Sequence, residues 1–185
     1  MYQSNQNGRS MIEMLGVLAV IGILTTGGFN LVMKTRMHQA INETTDTITS
    51  LASKVRQIIR DYQLDNPSAA ANTSMKAYVI TANAYPDSLT DTDWTDRNDV
   101  TYDVIYVGTT PVFWVTATGL SEEMCLHLSN GNYGTNASSG FIGLTYTSTG
   151  DTCTNTKSAP VPLSVAVTCC SPTTNPTGAM KFGFR

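Results

Sequence analysis

Charge is scarce in this chain. Of its 185 residues only 14% are Asp, Glu, Lys or Arg, and the formal net charge is −3. A soluble domain usually carries about 25% charged residues, so Ser, Thr, Asn and Gly do much of the solvation here. The small negative balance excludes a nucleic-acid binder held by a global basic field. Histidine is scarcer still, with only His38 and His127. Neither has an acid or a nucleophile at a recognisable catalytic spacing, and Cys125 and His127, two apart on a predicted helix, point apart. No G-x-S-x-G, H-E-x-x-H or phosphate loop is present. From these absences we expect no enzyme, no catalytic residue, no cofactor and no metal. Proline is missing from residues 9–66, and Lys and Arg are missing from the opening MYQSNQNG. A secretory signal peptide needs a basic start and a small-residue cleavage site. Phe29-Asn30-Leu31-Val32-Met33-Lys34 offers no such site, although Thr25 to Gly28 are small.

What the chain does have is one long apolar run. Met14 to Met33 is twenty residues without a charge, and about 20 predominantly apolar residues span a bilayer core. Glu13 stands at the mouth of that run. A carboxylate in a membrane segment costs roughly 2.5–3.5 kcal/mol at the helix centre and less near an end. It either stays at the headgroups or waits for a cation inside the membrane.

Gly8-Arg9-Ser10-Met11-Ile12-Glu13-Met14-Leu15, followed by Gly16-Val17-Leu18-Ala19-Val20-Ile21-Gly22-Ile23-Leu24, resembles the class III leader and N-terminal helix of type IV pilins and related pseudopilins. The resemblance implies that a prepilin peptidase cuts between Gly8 and Arg9 and methylates the new N-terminus. It makes Glu13 the fifth mature residue, which in the assembled filament neutralises the N-terminal amine of a neighbouring subunit. Two features depart from the family pattern. The first mature residue is usually Phe or another apolar residue, whereas here it is Arg9, spaced i, i+4 from Glu13. The leader also lacks the common basic residues. Lys34 and Arg36 beyond the run balance Arg9 and the amine before it, so charge alone does not orient the segment; the cysteines favour an exported C-terminal part.

Beyond Met33, Ile41, Ile48, Leu51, Val55, Ile58, Ile59 and Tyr62 recur at spacings of 3, 4 and 7, one apolar helix face. Glu43, Asp46, Lys54, Arg56 and Arg60 fill other positions. Together with the missing prolines this predicts a single helix over about 10–62, roughly 80 Å long at about 1.5 Å per residue, ended by Asp65-Asn66-Pro67. Thr25-Thr26-Gly27-Gly28 is its weak point, either a site of close helix packing or the local melting that the resemblance implies.

The remainder reads as an α+β head. A weak helix is expected at Ser74–Ala82. Asp91-Thr92-Asp93-Trp94-Thr95-Asp96 lacks the Gly and terminal Glu of a calcium loop and is read as solvated. Tyr102–Val107 and Val112–Thr116 form a hairpin. Ser121 caps a short helix through Leu128, with acids in its first turn. Phe141–Tyr146, Val161–Thr168 and Met180–Phe184 complete an antiparallel sheet. A small helix followed by a cysteine-stapled sheet loosely resembles type IVb pilin heads.

The four cysteines are Cys125, Cys153, Cys169 and Cys170. They lack C-x₂-C spacing, which disfavours zinc, and an even count in an exported chain reads as two disulfides. Neighbours rarely bridge each other. If 161–170 is a strand, Leu163, Val165, Val167 and Cys169 share its apolar face, which predicts Cys125–Cys169 and Cys153–Cys170.

The expected organisation is a leader over 1–8, a long helix over 9–62 and a globular head over 63–185. Residues 9–33 of the helix are the transmembrane or filament-core part, and 34–62 are amphipathic. The resemblance implies a structural prepilin, single-pass in the inner membrane before assembly and then part of an extracellular filament. Its partners are other copies or other pilins, the prepilin peptidase, the inner-membrane assembly platform and the membrane itself. The head serves adhesion, aggregation, motility or DNA uptake through a host-surface or DNA ligand that the sequence does not identify. The alternatives are a periplasmic type II secretion pseudopilin and a membrane-tethered binding module or enzyme.

Overall fold

The structure, a computed structural model, describes residues 7–61, 73–89, 94–107, 112–131, 133, 140–147, 151–154 and 158–185. The first element is the helix α1 (Asn7–Asp61), which runs through the missing-proline region as its periodicity predicts. It contributes to both units into which the chain divides, Met1–Gln39 and Ala40–Arg185. The second unit thus takes in the amphipathic half of α1, because Thr44, Thr47, Ile48, Leu51, Ala52, Val55 and Ile58 supply core side chains.

The rest of that unit is built from β1 (Thr73–Ser74), α2 (Lys76–Thr81), β2 (Thr101–Val107), β3 (Val112–Thr118), α3 (Glu122–Ser129), β4 (Phe141–Tyr146), α4 (Asp151–Thr154), α5 (Leu163–Cys170) and β5 (Met180–Phe184). The five strands form one antiparallel sheet in the order β1-β2-β3-β5-β4. Each long strand alternates, so that Tyr102, Val104 and Tyr106 on β2 and Phe113, Val115 and Ala117 on β3 are buried while their neighbours are half-exposed. Phe182 and Phe184 of β5 extend this face into an aromatic cluster. Tyr133 lies 5.0 Å from Phe182 and 5.3 Å from Phe141, and Phe184 lies 5.7 Å from Phe113. Such pairs contribute about 0.5–1.5 kcal/mol each beyond their buried area.

Local chemistry sets several element ends. The Ser121 side chain accepts from the Met124 N–H at 3.2 Å, and Glu122 and Glu123 occupy the first turn of α3, as expected. Gly178, at φ +55°, turns the chain into β5, and a Cβ there would collide with the Leu120 carbonyl oxygen. In β4 the register shifts between Phe141 and Gly143, a bulge.

Three expectations are corrected. The first is the segment Val161–Thr168, which is not a strand. Its apolar residues alternate in sequence, but within the helix Leu163–Cys170 the buried residues are Ala166, Cys169 and Cys170, at spacings of 3 and 4, and Leu163 and Val167 are 73% and 46% exposed. Pro162 precedes the helix with extended backbone. Weak β-propensity yields here to tertiary constraint. The second correction follows from the first. The disulfides are Cys125–Cys170 and Cys153–Cys169, not Cys125–Cys169 and Cys153–Cys170. Strand alternation sends adjacent residues to opposite faces; in a helix they lie about 100° apart, and each reaches a different neighbour.

The third correction concerns the acidic stretch. Asp91 and Asp93 lie outside the described residues, but Asp96 is buried, not solvated. Its Oδ1 accepts from the Asn98 and Val100 N–H groups at 2.8 and 3.0 Å, and its Oδ2 accepts from the Tyr102 hydroxyl at 2.8 Å. The carboxylate organises its own loop, and Asn98 ties that loop to Glu43 of α1 at 3.2 Å.

Burial also acts on the tyrosines. Burial foremost, with the nearby Asp96 and Glu43 carboxylates, raises the Tyr102 phenol above its ordinary value near 10; burial likewise raises Tyr133 and Tyr146. A group whose pKa is raised by folding contributes stability that is present below its unfolded pKa and is lost as pH rises past it. We therefore expect the melting temperature of the head to be flat up to about pH 10 and to fall steeply above it. A calorimetric series from pH 7 to pH 11 would show this, and an unchanged melting temperature at pH 11 would contradict it.

Candidate assembly surface

Among the described residues, the first half of α1 is unlike any other surface. Every large apolar side chain described from Met11 to Met33 is exposed, from 49% at Ile21 to 75% at Ile12. They point in all directions around the helix. A helix that is apolar all round belongs in a protein interior, an assembly or a membrane, and a contiguous apolar patch of this extent marks an interaction surface. The threonines do not break it. Thr25 Oγ1 donates to the Ile21 and Gly22 carbonyl oxygens at 2.9 and 3.0 Å, and Thr35 Oγ1 donates to Leu31 at 2.9 Å. These hydroxyls are turned onto the helix's own backbone.

Glu13 is exposed within this surface. It lines a groove of about 640 Å³ with Ile12, Gly16, Val17, Val20 and Ile21. Gly16 leaves the groove open, since a Cβ there would meet nothing within 4 Å. The carboxylate is therefore the polar point of an otherwise apolar wall. Gly8 and Arg9 lie in the opening turns of α1; the Arg9 side chain lies outside the described set, and with it the spacing to Glu13. Among the described residues, no helix is long and apolar enough to cross a membrane. The expected span over 9–33 is thus not met there. The uninterrupted described side chains run from Met11 to Thr25, short of the roughly 20 residues a span takes.

The cysteines expected to staple the head do so, with all four sulfurs in the two disulfides. Among the described residues, no group of His, Cys, Asp and Glu converges to hold a metal ion.

A second surface escaped the reading of the sequence. With about 100° of turn per residue, Glu43 and Arg56 lie on opposite sides of the buried stripe of α1, while Asp46 and Arg60 lie within about 40° of each other on the exposed face away from it. Glu43 and Asp46 line a cavity of about 410 Å³ with Thr47, Ser50, Pro86, Asp87 and Ser88. Lys54 lies on the Glu43 side, but its Nζ donates to the Tyr85 carbonyl oxygen at 2.9 Å. Arg56 and Arg60 line a cavity of about 260 Å³ with Ile59, Phe113 and Arg185. Arg56 Nε donates to the Arg185 main-chain oxygen at 2.8 Å, and its guanidinium sits 5.5 Å from the Phe184 ring centre. Burial, and then the adjacent Arg60 charge, lower the Arg56 pKa. The acids at 43 and 46 and the bases at 54, 56 and 60 are visible in the sequence, but their positions around the helix need the buried stripe as reference.

No family model matches the chain, and no curated protein or solved structure is similar enough to be matched.

Proposed function

We propose that the chain is the structural subunit, a prepilin, of a type IV pilus filament. One observation carries the reading. The first half of α1, with its described large apolar side chains exposed all round, holds a single carboxylate, Glu13, five residues after Gly8 in Gly8-Arg9-Ser10-Met11-Ile12-Glu13. In this reading a prepilin peptidase cuts between Gly8 and Arg9. The run Met14–Met33 sits in the inner membrane before assembly and in the filament core after it. Apolar burial between helices supplies the cohesion, and Glu13 pairs with a neighbour's N-terminal amine to set the register. A buried charge without a partner is strongly unfavourable, so the pair acts as a pin. The head faces outward, and its two disulfides suit an oxidising exterior. The alternative is a periplasmic type II secretion pseudopilin, which shares this N-terminus and sits in an equally oxidising compartment.

The test is the intact mass of the protein extracted from its native membrane, with and without reductant. The expected mass lacks residues 1–8, carries one added methyl, and gains four hydrogens on reduction. A full-length N-terminus, or cleavage beyond Thr25, would return the helix to a plain anchor or signal peptide.

A further inference from the structure

The helix α5 runs against its own sequence. Val165, Val167 and Thr168 are β-branched, and such side chains lose rotamer freedom in a helix and favour strands. Eight residues are fewer than the roughly 12–15 that an isolated helix needs in water. Charge reinforces neither end, since the first turn holds no acid and the last turn no base. The helix also leaves Leu163 and Val167 exposed. A local preference opposed to the observed fold is a conflict that some other interaction outweighs.

That interaction sits in the last turn. Cys169 and Cys170 are adjacent, and each is bonded to a different element, Cys153 of α4 and Cys125 of α3. Of the two bonds, Cys153–Cys169 stabilises less, because it spans 16 residues against 45. Its anchor, α4, is only four residues long. We infer that α5 is a redox-gated helix, held while Cys153–Cys169 is closed and relaxing to extended chain when a dithiol reductant opens that bond. All four cysteines are buried, so the reductant acts through local opening. One thiolate of the reductant attacks Cys153 Sγ, and Cys169 leaves as a thiolate and takes up a proton. The second thiolate of the reductant then displaces Cys153, which is protonated in turn. The reductant ends as a disulfide and the protein gains two hydrogens. Cys125–Cys170 stays closed and keeps the segment tethered to α3. The head therefore completes α5 only in an oxidising compartment, independently of the filament reading above.

Hydrogen exchange read by mass spectrometry tests the gate in the full chain in detergent micelles. Graded treatment with dithiothreitol should first give a species with two thiols, at Cys153 and Cys169. In that species, and in Cys153→Ala with Cys169→Ala, exchange over Leu163–Cys170 should quicken about a hundredfold while β2 and β3 keep their protection. Val167 and Thr168 are exposed, so changing both to Ala removes two β-branched side chains without opening the core. Added to the cysteine variant, Val167→Ala and Thr168→Ala should recover about tenfold of the lost protection. Unchanged exchange over α5 after loss of the bond would overturn the gate. A first reduced species with its thiols at Cys125 and Cys170 would overturn it as well. Loss of protection in β2 and β3 together with α5 would make the bond a support of the whole head and not a gate. Failure of the two alanines to recover protection would show that the bond does not oppose strand preference, and the gate would fall with it.

Discussion

Glu13→Ala is expected to abolish filaments while leaving cleavage at Gly8 intact. The described groove around Glu13, formed with Ile12, Gly16, Val17, Val20 and Ile21, is apolar, so in the proposed filament, assembly would bury the carboxylate together with whatever cation it meets. Removing one member of a buried ion pair costs about 3–5 kcal/mol, because the other charge stays behind without compensation. At about 1.4 kcal/mol per factor of ten, filament yield should fall by at least about a hundredfold. Met14→Leu, a volume-conserving change beside it, should assemble normally. Mass spectrometry of the membrane fraction separates a processing defect from an assembly defect. Filaments of Glu13→Ala at the unmodified level would remove Glu13 from the register and weaken the pilin reading as a whole.

The second large effect concerns the disulfide between α3 and α5. Cys125 and Cys170 are 45 residues apart, and Cys153 and Cys169 are 16 apart. In the chain-entropy model the longer loop contributes about 4 kcal/mol and the shorter about 3 kcal/mol. A domain of this size has about 5–15 kcal/mol in all, so Cys125→Ala with Cys170→Ala should leave the head close to its folding limit. The connectivity gives a sharper contrast. That double variant retains Cys153 and Cys169, and should show one disulfide and no free thiol. Cys125→Ala with Cys169→Ala retains Cys153 and Cys170, and should show two free thiols. Thiol titration of the unfolded chains reads the difference directly. The reverse pattern would restore the pairing expected from strand alternation.

Much of this architecture can be read from residue spacing, and the exceptions share a cause. α1 is legible because Ile48, Leu51, Val55 and Ile58 keep a helical period over many turns. The β2–β3 hairpin is legible because its buried and half-exposed side chains alternate without a break. α3 declares itself through Ser121 and the acids after it. α5 is different. Leu163, Val165 and Val167 alternate in chemical type, while the side chains that are buried follow a helical step. Only the bonds from Cys169 and Cys170 to two separate elements explain that choice, and no local pattern contains them. Asp96 failed for a similar reason. It looks solvated among other acids, yet three donors converge on it after the loop has closed. β1 is two residues long and has no period to detect. At the candidate surface Glu13 is legible from its place at the mouth of the apolar run, whereas the positions of Glu43, Asp46, Arg56 and Arg60 around α1 require knowledge of which stripe is buried.

The ends of the sheet bear on how such heads tolerate one another. One margin is β1, only Thr73 and Ser74, paired to Tyr106 and Ile105. The other is β4, interrupted between Phe141 and Gly143, with α4 packed beside it. Open strand margins recruit further strands from identical molecules, and short or bulged margins resist this. In the proposed filament, the described margins of neighbouring heads would then resist strand-to-strand joining, and cohesion would rest on the apolar first half of α1.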